Sequence, residues 1–437
     1  MQRKVLIVSY YFPPSGGAGV QRALKLVKYL PEFGWEPVVL TVNEDADFPA
    51  RDPSLLAEIP EGVSVHRTRI FEPYNLYRRW TGKGKSDAID IVTNAEVKGG
   101  TPSEKVARWV RATLFIPDAR RFWKRPAIAE AEKILRDKPV DLILSSAPPY
   151  TCHLIGMALH GRHGIPWVAD FRDSWVGWLS TPARWWLPHR IDRSLERRVL
   201  SSADGLVSVS NGVMNDLTSR NPGVPADRWR IIPNGFDGTD FEGIKADPDH
   251  GRFVLVYAGS LYGKRNPAAF LEALESLLSK HPEFRGKILF RFVGRLDLRY
   301  LEAFRRLGDA FEHVPYVPHR MSMEFLVNAS ALLLVIDEAA AASSIVTGKI
   351  YEYLGARKPV LALAPPGDAA DLIRGLDAGR VVSPEDAAGA EAVLREWMEA
   401  WTAGKPVPCA SEEAVRRFER KAQAGEMAEF FNKTIQK

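Results

Sequence analysis

The stretch KVLIVSYYFPPSGGAGVQRAL, residues 4–24, is an apolar segment, a glycine-rich loop and the start of a helical pattern. Its first residues have the continuous apolar character of a buried parallel strand. Backbone N–H groups at a helix N-terminus bind anions, and glycines let a ligand approach closely. The loop therefore predicts a ligand site at Gly16 and Gly17. An ordinary strand-to-helix turn is the alternative, and Arg22 in place of a third glycine disfavours a dinucleotide-binding loop.

Strand-like and helix-like segments alternate along both halves of the chain. In the first half, strands are predicted at 4–10, 37–42, 63–68, 140–146, 166–170, 205–210 and 229–233. After a polar linker at 234–252, they are predicted at 253–259, 287–294, 311–317, 331–336, 359–363 and 379–383. Such alternation implies parallel sheets covered by helices on both faces. The sequence thus predicts an α/β fold with two doubly wound domains, whose ligand loops follow the carboxyl ends of the strands.

The composition is that of an ordinary soluble protein, with 46% hydrophobic and 26% charged residues. The net charge of +5 is mild and compatible with an anionic ligand or membrane surface, and we expect no nucleic-acid partner. No apolar run is long enough to span a membrane, and the N-terminal one is too short for a signal peptide. Cys152 and Cys409 form no metal or redox motif, which favours a cytoplasmic protein.

A basic loop opens the second half of the chain. The stretch YAGSLYGKRNP, residues 257–267, puts Gly259, Lys264 and Arg265 between a strand and a helix. Cations at such a strand end can neutralise a diphosphate. The spacing of the two glycines excludes a Walker A loop. A solvated basic turn is the alternative interpretation.

A second polar loop precedes the strand predicted at 359–363. Thr347 is expected to cap the following helix, with Gly348 and Lys349 at its positive N-terminal end. Glu352 lies one helical turn later, where its carboxylate can accept two hydrogen bonds from a ribose diol. A surface glutamate near a favourable helix dipole is the alternative.

Polar residues also follow two strands of the first half. His153 is placed in the first turn of a helix that Thr151 is expected to cap, and the helix dipole should lower its pKa. Asp170, Arg172 and Asp173 follow the next strand. The alternatives are a packing histidine and an ion cluster that only shapes the loop. The DPD at 247–249 resembles a metal-binding motif but lies in the linker, so no metal site is predicted.

Together these stretches resemble the retaining glycosyltransferases of the GT-B fold, in the large group called family 4. The matching segments are FPPSGGAGVQRALKLVKYL, PPYTCHLIGMALHGRHGIPWVADFRDSW, IIPNGFD, YAGSLYGKRNP and TGKIYEYLGARKPVLAL. The resemblance covers nearly the whole chain and implies two Rossmann-like domains that face a central cleft. It implies an N-terminal acceptor domain at 1–243, a donor domain at 244–408, and a C-terminal helix at 409–437 that returns to the N-terminal domain.

For the donor side, the resemblance implies roles residue by residue. Glu352 matches the glutamate that holds the nucleotide ribose, whereas Ser344 stands where the family has a first glutamate. Arg265, beside Lys264, occupies the position of a diphosphate-binding lysine. Ser260 replaces a family arginine, and Lys349 stands where the family pattern is apolar.

For the remaining positions, Gly16 and Gly17 match the loop near the donor phosphates, and His153 matches a histidine near the transferred sugar. His153 and Arg265 are therefore the candidate catalytic residues. Asp170, Arg172 and Asp173 are candidates on the acceptor side.

The implied reaction transfers a sugar from a UDP-, GDP- or dTDP-linked donor to an acceptor hydroxyl, with retention of the anomeric configuration. The acceptor is a sugar or a lipid-linked glycan, in bacterial polysaccharide or glycolipid synthesis, and the family works without a metal or other cofactor. Two alternatives stay open. One is a GT-B sugar-nucleotide 2-epimerase, which needs carboxylates such as Asp170 and Asp173, and the other is a non-catalytic nucleotide-sugar-binding module.

Interleaved aromatic and basic residues between 77 and 125 suit an anionic membrane surface, on the inner face of the cytoplasmic membrane. They are Tyr77, Arg78, Arg79, Trp80, Lys83, Lys85, Lys105, Arg108, Trp109, Arg111, Phe115, Arg120, Arg121, Phe122, Trp123, Lys124 and Arg125. A solvated surface with a few core aromatics is the alternative.

Overall fold

A computed structural model describes residues 2–71, 109–178, 181–249, 251–261, 266–336 and 346–436. The chain divides into two compact units, Met1–Pro233 with Gln423–Lys437, and Asn234–Ala422. Of the predicted site residues, Lys264 and Arg265 lie outside the described residues, as do Ser344 and the part of the aromatic and basic cluster before residue 109.

The first unit is built on a seven-stranded sheet with the order β3-β2-β1-β4-β5-β6-β7, in which every pair is parallel. Its strands are β1 (Arg3–Val8), β2 (Trp35–Val42), β3 (Ser64–Thr68), β4 (Leu142–Ala147), β5 (Trp167–Phe171), β6 (Gly205–Ser208) and β7 (Trp229–Ile231). Its helices include α1 (Ala18–Tyr29), α2 (Lys124–Asp137), α3 (Thr151–His163), α4 (Trp186–Ser202) and α5 (Asn211–Arg220). The central strand β1 is an apolar run because helices cover both faces of the sheet.

The strand order of this sheet reverses between β1 and β4. Ligands of open parallel sheets bind where the order reverses, beyond the carboxyl ends of the strands. The loops after β1 and β4 are therefore the loops of the first unit that the topology assigns to a ligand. They contain Gly16 and Gly17, and the N-terminus of α3 with His153.

The second unit repeats this plan with a six-stranded parallel sheet of order β10-β9-β8-β11-β12-β13. Its strands are β8 (Phe253–Ala258), β9 (Ile288–Val293), β10 (Phe311–Val314), β11 (Ala331–Val335), β12 (Val360–Leu363) and β13 (Gly379–Val382). Its helices include α6 (Ala268–Lys280), α7 (Leu298–Arg305), α8 (His319–Val327), α9 (Gly348–Ala356), α10 (Asp368–Gly375), α11 (Ala387–Thr402) and α12 (Glu412–Arg416). The order reverses between β8 and β11, so the segments after these strands are the ligand loops here.

The last helix, α13 (Arg420–Thr434), places its apolar residues in the core of the first unit. Phe431 packs edge-on against Trp35 with ring centroids 5.1 Å apart. Phe418, which lies within the segment expected to return to the N-terminal domain, instead packs in the core of the second unit, 5.6 Å from the ring of Tyr351. Backbone hydrogen bonds from Phe236 to Phe418 (3.0 Å) and from Arg420 to Phe236 (2.8 Å) hold this segment there.

The structural division thus falls at different positions from the expected boundaries. Residues 234–243 and 409–422 lie in the second unit. Within the described ranges, no helix combines the length and apolar character needed to cross a membrane.

Candidate active site

Two glycines let the ends of neighbouring strands approach closely in the second unit. Gly259 follows β8 with φ of +119° and Gly294 follows β9 with φ of +131°, both in the region that favours glycine. A Cβ atom added to Gly294 would collide with the carbonyl of Gly259. One added to Gly259 would overlap the ammonium end of Lys349. The glycine predicted at the end of β8 therefore serves to seat a lysine side chain.

Lys349 is held in this position by an aromatic ring. Its Nζ atom lies 2.9 Å from the hydroxyl of Tyr257 and 4.3 Å from the ring centroid of that residue. Tyr257 in turn stacks on Phe292 with ring centroids 4.9 Å apart. The ammonium group is thereby fixed at the carboxyl end of β8 and at the N-terminus of α9. Both places favour an anionic ligand.

The N-terminus of α9 carries no side-chain cap. Thr347 is the N-cap residue, as predicted, but its hydroxyl makes no capping hydrogen bond. Its Oγ1 atom is buried and has no hydrogen-bond partner among the described residues. The expected capping role of Thr347 is therefore wrong, since its side chain accepts no hydrogen bond from the first backbone amides of α9.

Glu352 lies one helical turn after Gly348 and is partly buried. Burial raises the pKa of Glu352; the nearby His319 opposes this shift and Asp240 adds to it. Within the part of the chain that the structure describes, its carboxylate has no hydrogen-bond donor and no salt-bridge partner. A desolvated carboxylate without a partner is costly, so this one is suited to receive hydrogen bonds from a ligand.

The two glycines of the loop after β1, Gly16 and Gly17, have different surroundings. Gly16 is packed tightly, because a Cβ atom there would come within 3.2 Å of the Cβ atom of Asp52. Its N–H donates to the carbonyl of Ala50 at 2.9 Å, which fixes the loop. Gly17 is exposed, with φ of +85° and no atom within 4 Å of an added Cβ. Gly16 is thus explained by loop packing, while Gly17 leaves open space at the N-terminus of α1.

Asp170 is committed to a buried ion pair. Its carboxylate accepts hydrogen bonds from Arg22 at 2.8 and 2.9 Å and from the hydroxyl of Ser146 at 2.7 Å. The side chains of Asp170 and Arg22 are 0% and 3% exposed. Burial alone would raise the pKa of Asp170. Arg22 and these hydrogen bonds outweigh that effect and hold the pKa of Asp170 below its ordinary value. The pair joins the start of α1 to the end of β5.

Arg172 and Asp173 differ from each other. The guanidinium of Arg172 donates to three backbone carbonyls, those of Gly19, Ala147 and Pro148, and so ties the loops after β1 and β4 together. Asp173 is partly buried, and burial raises its pKa, against the nearby Arg172 and a hydrogen bond from the side chain of Trp178. Asp173 is thus the carboxyl of this loop whose proton is held more tightly than usual.

His153 is fully buried in an aromatic environment. Its Nδ1 atom lies 2.8 Å from the hydroxyl of Ser145, and its ring is 4.4 Å from that of Phe171. Burial lowers the pKa of His153 to about 3, so the imidazole is neutral at physiological pH. Its Nε2 atom is buried without a hydrogen-bond partner in the described residues. The ring is therefore a fixed neutral group with one unsatisfied nitrogen.

Sequence reasoning missed Asp118, which organises the N-terminus of α3. Its carboxylate accepts from the backbone N–H of Thr151 at 2.9 Å and from the hydroxyl of Thr151 at 2.8 Å. Tyr150 occupies the N-cap position without a side-chain cap, so Thr151 is not the capping residue that was expected. Asp118 lies 33 positions before Thr151, too far along the chain for a local capping pattern to reveal.

Two residues assigned to the membrane-binding cluster are instead part of the core. Arg120 is 8% exposed, donates to the carbonyl of Asp47 at 2.9 Å and lies 4.9 Å from the ring centroid of Tyr10. Trp123 is fully buried and donates from Nε1 to the hydroxyl of Thr68 at 2.7 Å. These contacts fix the segment after residue 117 against the strands β1 and β3.

Of the two linker aspartates, Asp249 is engaged through its carboxylate and Asp247 through its backbone N–H. The N–H of Asp247 donates to the Asn328 side-chain carbonyl at 2.7 Å, and the carboxylate of Asp249 pairs with Arg252 at 2.8 Å. In the described ranges, no group of three or more His, Cys, Asp or Glu side chains is placed to hold a metal ion.

Comparison with known proteins decides the family. Residues 16–235, half of the chain, match the model of the glycosyl transferase 4-like domain. The chain belongs to this family. No curated protein sequence matches it.

Solved structures with the same fold are distant in sequence from this glycosyltransferase. The complex of Anabaena Alr3699/HepE with UDP has a TM-score of 0.59 at 14% identity, covering 99% of this chain and 100% of that one. The α,α-trehalose-phosphate synthase (UDP-forming) from Burkholderia xenovorans has a TM-score of 0.59 at 14% identity, covering 98% and 100%. The lipopolysaccharide outer core galactosyltransferase WaaB has a TM-score of 0.56 at 12% identity, covering 99% of both chains. The predicted GT-B fold is thereby confirmed.

The glycosyltransferase therefore carries two kinds of candidate residue. In the second unit, Lys349 lies against Gly259 at the carboxyl end of β8, and Glu352 follows three residues later on α9. In the first unit, Asp170 and Arg172 are bound to their own chain, while Asp173 and His153 have perturbed pKa values.

Proposed function

We propose that the chain transfers a sugar from a nucleoside-diphosphate sugar to an acceptor hydroxyl with retention of configuration, and that the donor binds the second unit. The observation that carries this proposal is the pairing of two features on α9. The ammonium of Lys349 is seated on Gly259, and Glu352, which is desolvated and has no hydrogen-bond or salt-bridge partner among the described residues, follows three residues later. A cation beside a carboxylate acceptor suits a diphosphate joined to a ribose.

We propose a protein partner for each group of the donor, at the carboxyl end of β8 and the start of α9. The diphosphate receives the charge of Lys349 and the backbone amides at the start of α9. The ribose diol donates two hydrogen bonds to Glu352. Because these groups supply the positive charge, we propose that no metal is needed, with Lys264 and Arg265 adding further cations. Uracil is the first base to test, since HepE was solved with UDP and the trehalose-phosphate synthase is described as UDP-forming.

In the transfer step, the acceptor oxygen forms a bond to the anomeric carbon on the face from which the diphosphate departs. The bond from that carbon to the phosphate oxygen breaks, and its electron pair stays on the nucleoside diphosphate. The proton of the acceptor hydroxyl passes to a phosphate oxygen. Negative charge grows on the leaving group, so a cation placed as Lys349 is favours the transition state over the bound donor.

The first unit is proposed to receive the acceptor, a sugar or a lipid-linked glycan of the bacterial cytoplasm. Of the three charged residues after β5, Asp173 is the better candidate for acceptor contact, because Asp170 is paired with Arg22 and Arg172 is bound to backbone carbonyls. His153 is proposed to face the transferred sugar as a neutral group. The binding of Asp170 by Arg22 also weakens the 2-epimerase alternative, which needs free carboxylates.

The test is to incubate the chain with UDP-, GDP- and dTDP-linked sugars in EDTA and to measure nucleotide release, with and without a panel of sugar acceptors. We expect UDP release without metal, and NMR of the product should show the donor's anomeric configuration. An inverted product would overturn retention. An epimerised donor without nucleotide release would establish the epimerase instead, and binding without consumption would establish a binding module.

A further inference from the structure

Helix α4 divides its charges between its two faces. Its two acidic residues, Asp192 and Glu196, are both 0% exposed and pair with Arg184 at 2.9 Å and Arg220 at 3.1 Å. The exposed titratable side chains of the helix are all basic: His189, Arg190, Arg193, Arg197 and Arg198. The outward face therefore carries positive charge that no residue of the same helix neutralises.

The N-terminal end of the same face is apolar. Trp186 is 68% exposed, and Trp185, Leu187 and Ile191 are each at least 40% exposed. Positions 186, 190, 193 and 197 recur on one side of a helix, so a tryptophan and three arginines share a face. Large apolar side chains grouped on a surface mark an interaction site.

This surface continues beyond α4. The Nε1 atom of Trp185 donates to the hydroxyl of Thr113 at 3.0 Å, next to the exposed Trp109 and Leu114. Phe122 and Phe71 extend this surface, with their ring centroids 5.9 Å apart. The guanidinium of Arg121 lies 5.7 Å from the centroid of the Phe122 ring. We call the whole set the α4 face: Phe71, Trp109, Leu114, Arg121, Phe122, Trp185, Trp186, Leu187, Arg190, Ile191, Arg193, Arg197 and Arg198.

We infer that the α4 face docks on an anionic phospholipid bilayer. Rings and guanidinium groups are interleaved on the same side of the helix, which lets rings enter the headgroup layer while arginines bind lipid phosphates. The acidic groups of α4, which would be repelled, are all turned inward. Lys124, at the start of α2, adds to the argument: burial lowers its pKa, and the neighbouring Arg198 and Arg162 lower it further. Anionic headgroups would relieve this repulsion.

The inward side of α4 connects the bilayer to the proposed acceptor loop. Asp192 accepts a hydrogen bond from Trp175 Nε1 at 2.9 Å, and Glu196 accepts one from the N–H of Val176 at 3.0 Å. The same loop carries Asp173. A helix that docks on lipid thus fixes the loop proposed to meet the acceptor. This suits a lipid-linked acceptor, a conclusion that rests on the proposed function.

The test is co-sedimentation of the full chain with vesicles of phosphatidylglycerol and phosphatidylcholine, and with phosphatidylcholine alone. We expect binding to the anionic vesicles that weakens with salt. The triple variant Arg190→Gln, Arg193→Gln, Arg197→Gln should bind on the order of a hundredfold more weakly, since each cation near the surface contributes about fivefold. Trp186→Ser should also weaken binding.

A matched control lies on the second unit. The triple variant Arg299→Gln, Arg305→Gln, Arg306→Gln removes three exposed arginines in or next to α7, and Leu298→Ser removes an apolar side chain that is 75% exposed. Both should bind vesicles like the wild type. Nucleotide release without vesicles should be unchanged in all variants, which separates this inference from the proposed function.

Three results would overturn the inference. One is equal binding of the wild type to neutral and anionic vesicles. Another is unchanged vesicle binding by the α4 variants. The third is a wild-type dimer in gel filtration that the α4 variants convert to a monomer, because the face would then be a self-association surface.

Discussion

The strand ends of the two units use polar residues in opposite ways. In the first unit, Arg22, Asp170 and Arg172 are satisfied by their own chain through ion pairs and backbone carbonyls. In the second, Glu352 and the hydroxyl of Thr347 are desolvated and lack hydrogen-bond partners among the described residues. A polar residue after a parallel strand therefore has two different uses. Arg22, Asp170 and Arg172 hold the loops of the first unit, whereas we propose that Glu352 binds a ligand in the second.

Substitutions at the two kinds of residue should change the free energy of unfolding by different amounts. Breaking a buried pair leaves one charge unpaired and destabilises the fold by about 3–5 kcal/mol. Removing an unpartnered buried carboxylate removes a desolvation penalty and should leave the fold intact. Binding of a ligand that satisfies such a group stabilises the folded state. Substitutions in the two units should therefore separate stability from donor binding.

The largest effect on stability is expected from Arg22→Ala. This change leaves Asp170 buried and unpaired, so the free energy of unfolding in urea should fall by about 3–5 kcal/mol. Arg380→Ala is the control, because Arg380 forms an exposed pair with Glu396 at 3.1 Å that contributes at most about 1 kcal/mol. Equal losses in the two variants would show that the Arg22–Asp170 pair does not hold the loops of the first unit.

Lys349→Met should reduce turnover of the donor without unfolding the protein. A charged hydrogen bond contributes about 1.5–3 kcal/mol, so kcat/KM for nucleotide release should fall roughly 10- to 150-fold. Arg357→Ala is the control, since Arg357 lies at the other end of α9 in an exposed pair with Glu412. If both variants turn over the donor at the wild-type rate, Lys349 is not a diphosphate ligand.

His153→Asn should change how stability depends on pH. The folded protein holds the pKa of His153 at about 3, below the ordinary 6.5. Between these values the unfolded chain binds a proton that the folded chain does not, so stability falls as the pH falls. The wild type should lose up to about 1.4 kcal/mol per pH unit more than the variant below pH 6.5. Urea unfolding curves that shift in parallel from pH 7 to 5 would contradict the burial of a neutral imidazole.

Much of the fold could be predicted from the sequence. Each of the thirteen strands described was predicted within a few residues, because parallel strands read as short apolar runs between helices. Helix α11 was not predicted, although Asp386 caps it and Leu394, Trp397 and Met398 follow at helical spacing. The segment lies after the last predicted strand, where no alternation with a further strand pointed to it.

The candidate site was predictable only in part. Gly259, Lys349 and Glu352 could be proposed from the sequence because strand ends and helix starts can be read locally, and their role in donor binding stays a prediction. The partners that bind Asp170 and Arg172, and the role of Asp118 at α3, depend on contacts between distant segments. The direction of the α4 side chains also depends on tertiary packing, since its sequence alternates acids and arginines without showing which are buried.

The most direct test of the donor site is calorimetric titration of UDP into the wild type and into Glu352→Gln. The variant keeps the shape of the side chain but weakens its two hydrogen bonds to the ribose. We predict a dissociation constant roughly 10- to 150-fold higher, with a Tm no lower than that of the wild type, because a desolvated charge is removed. An unchanged dissociation constant would contradict the assignment of the donor to α9.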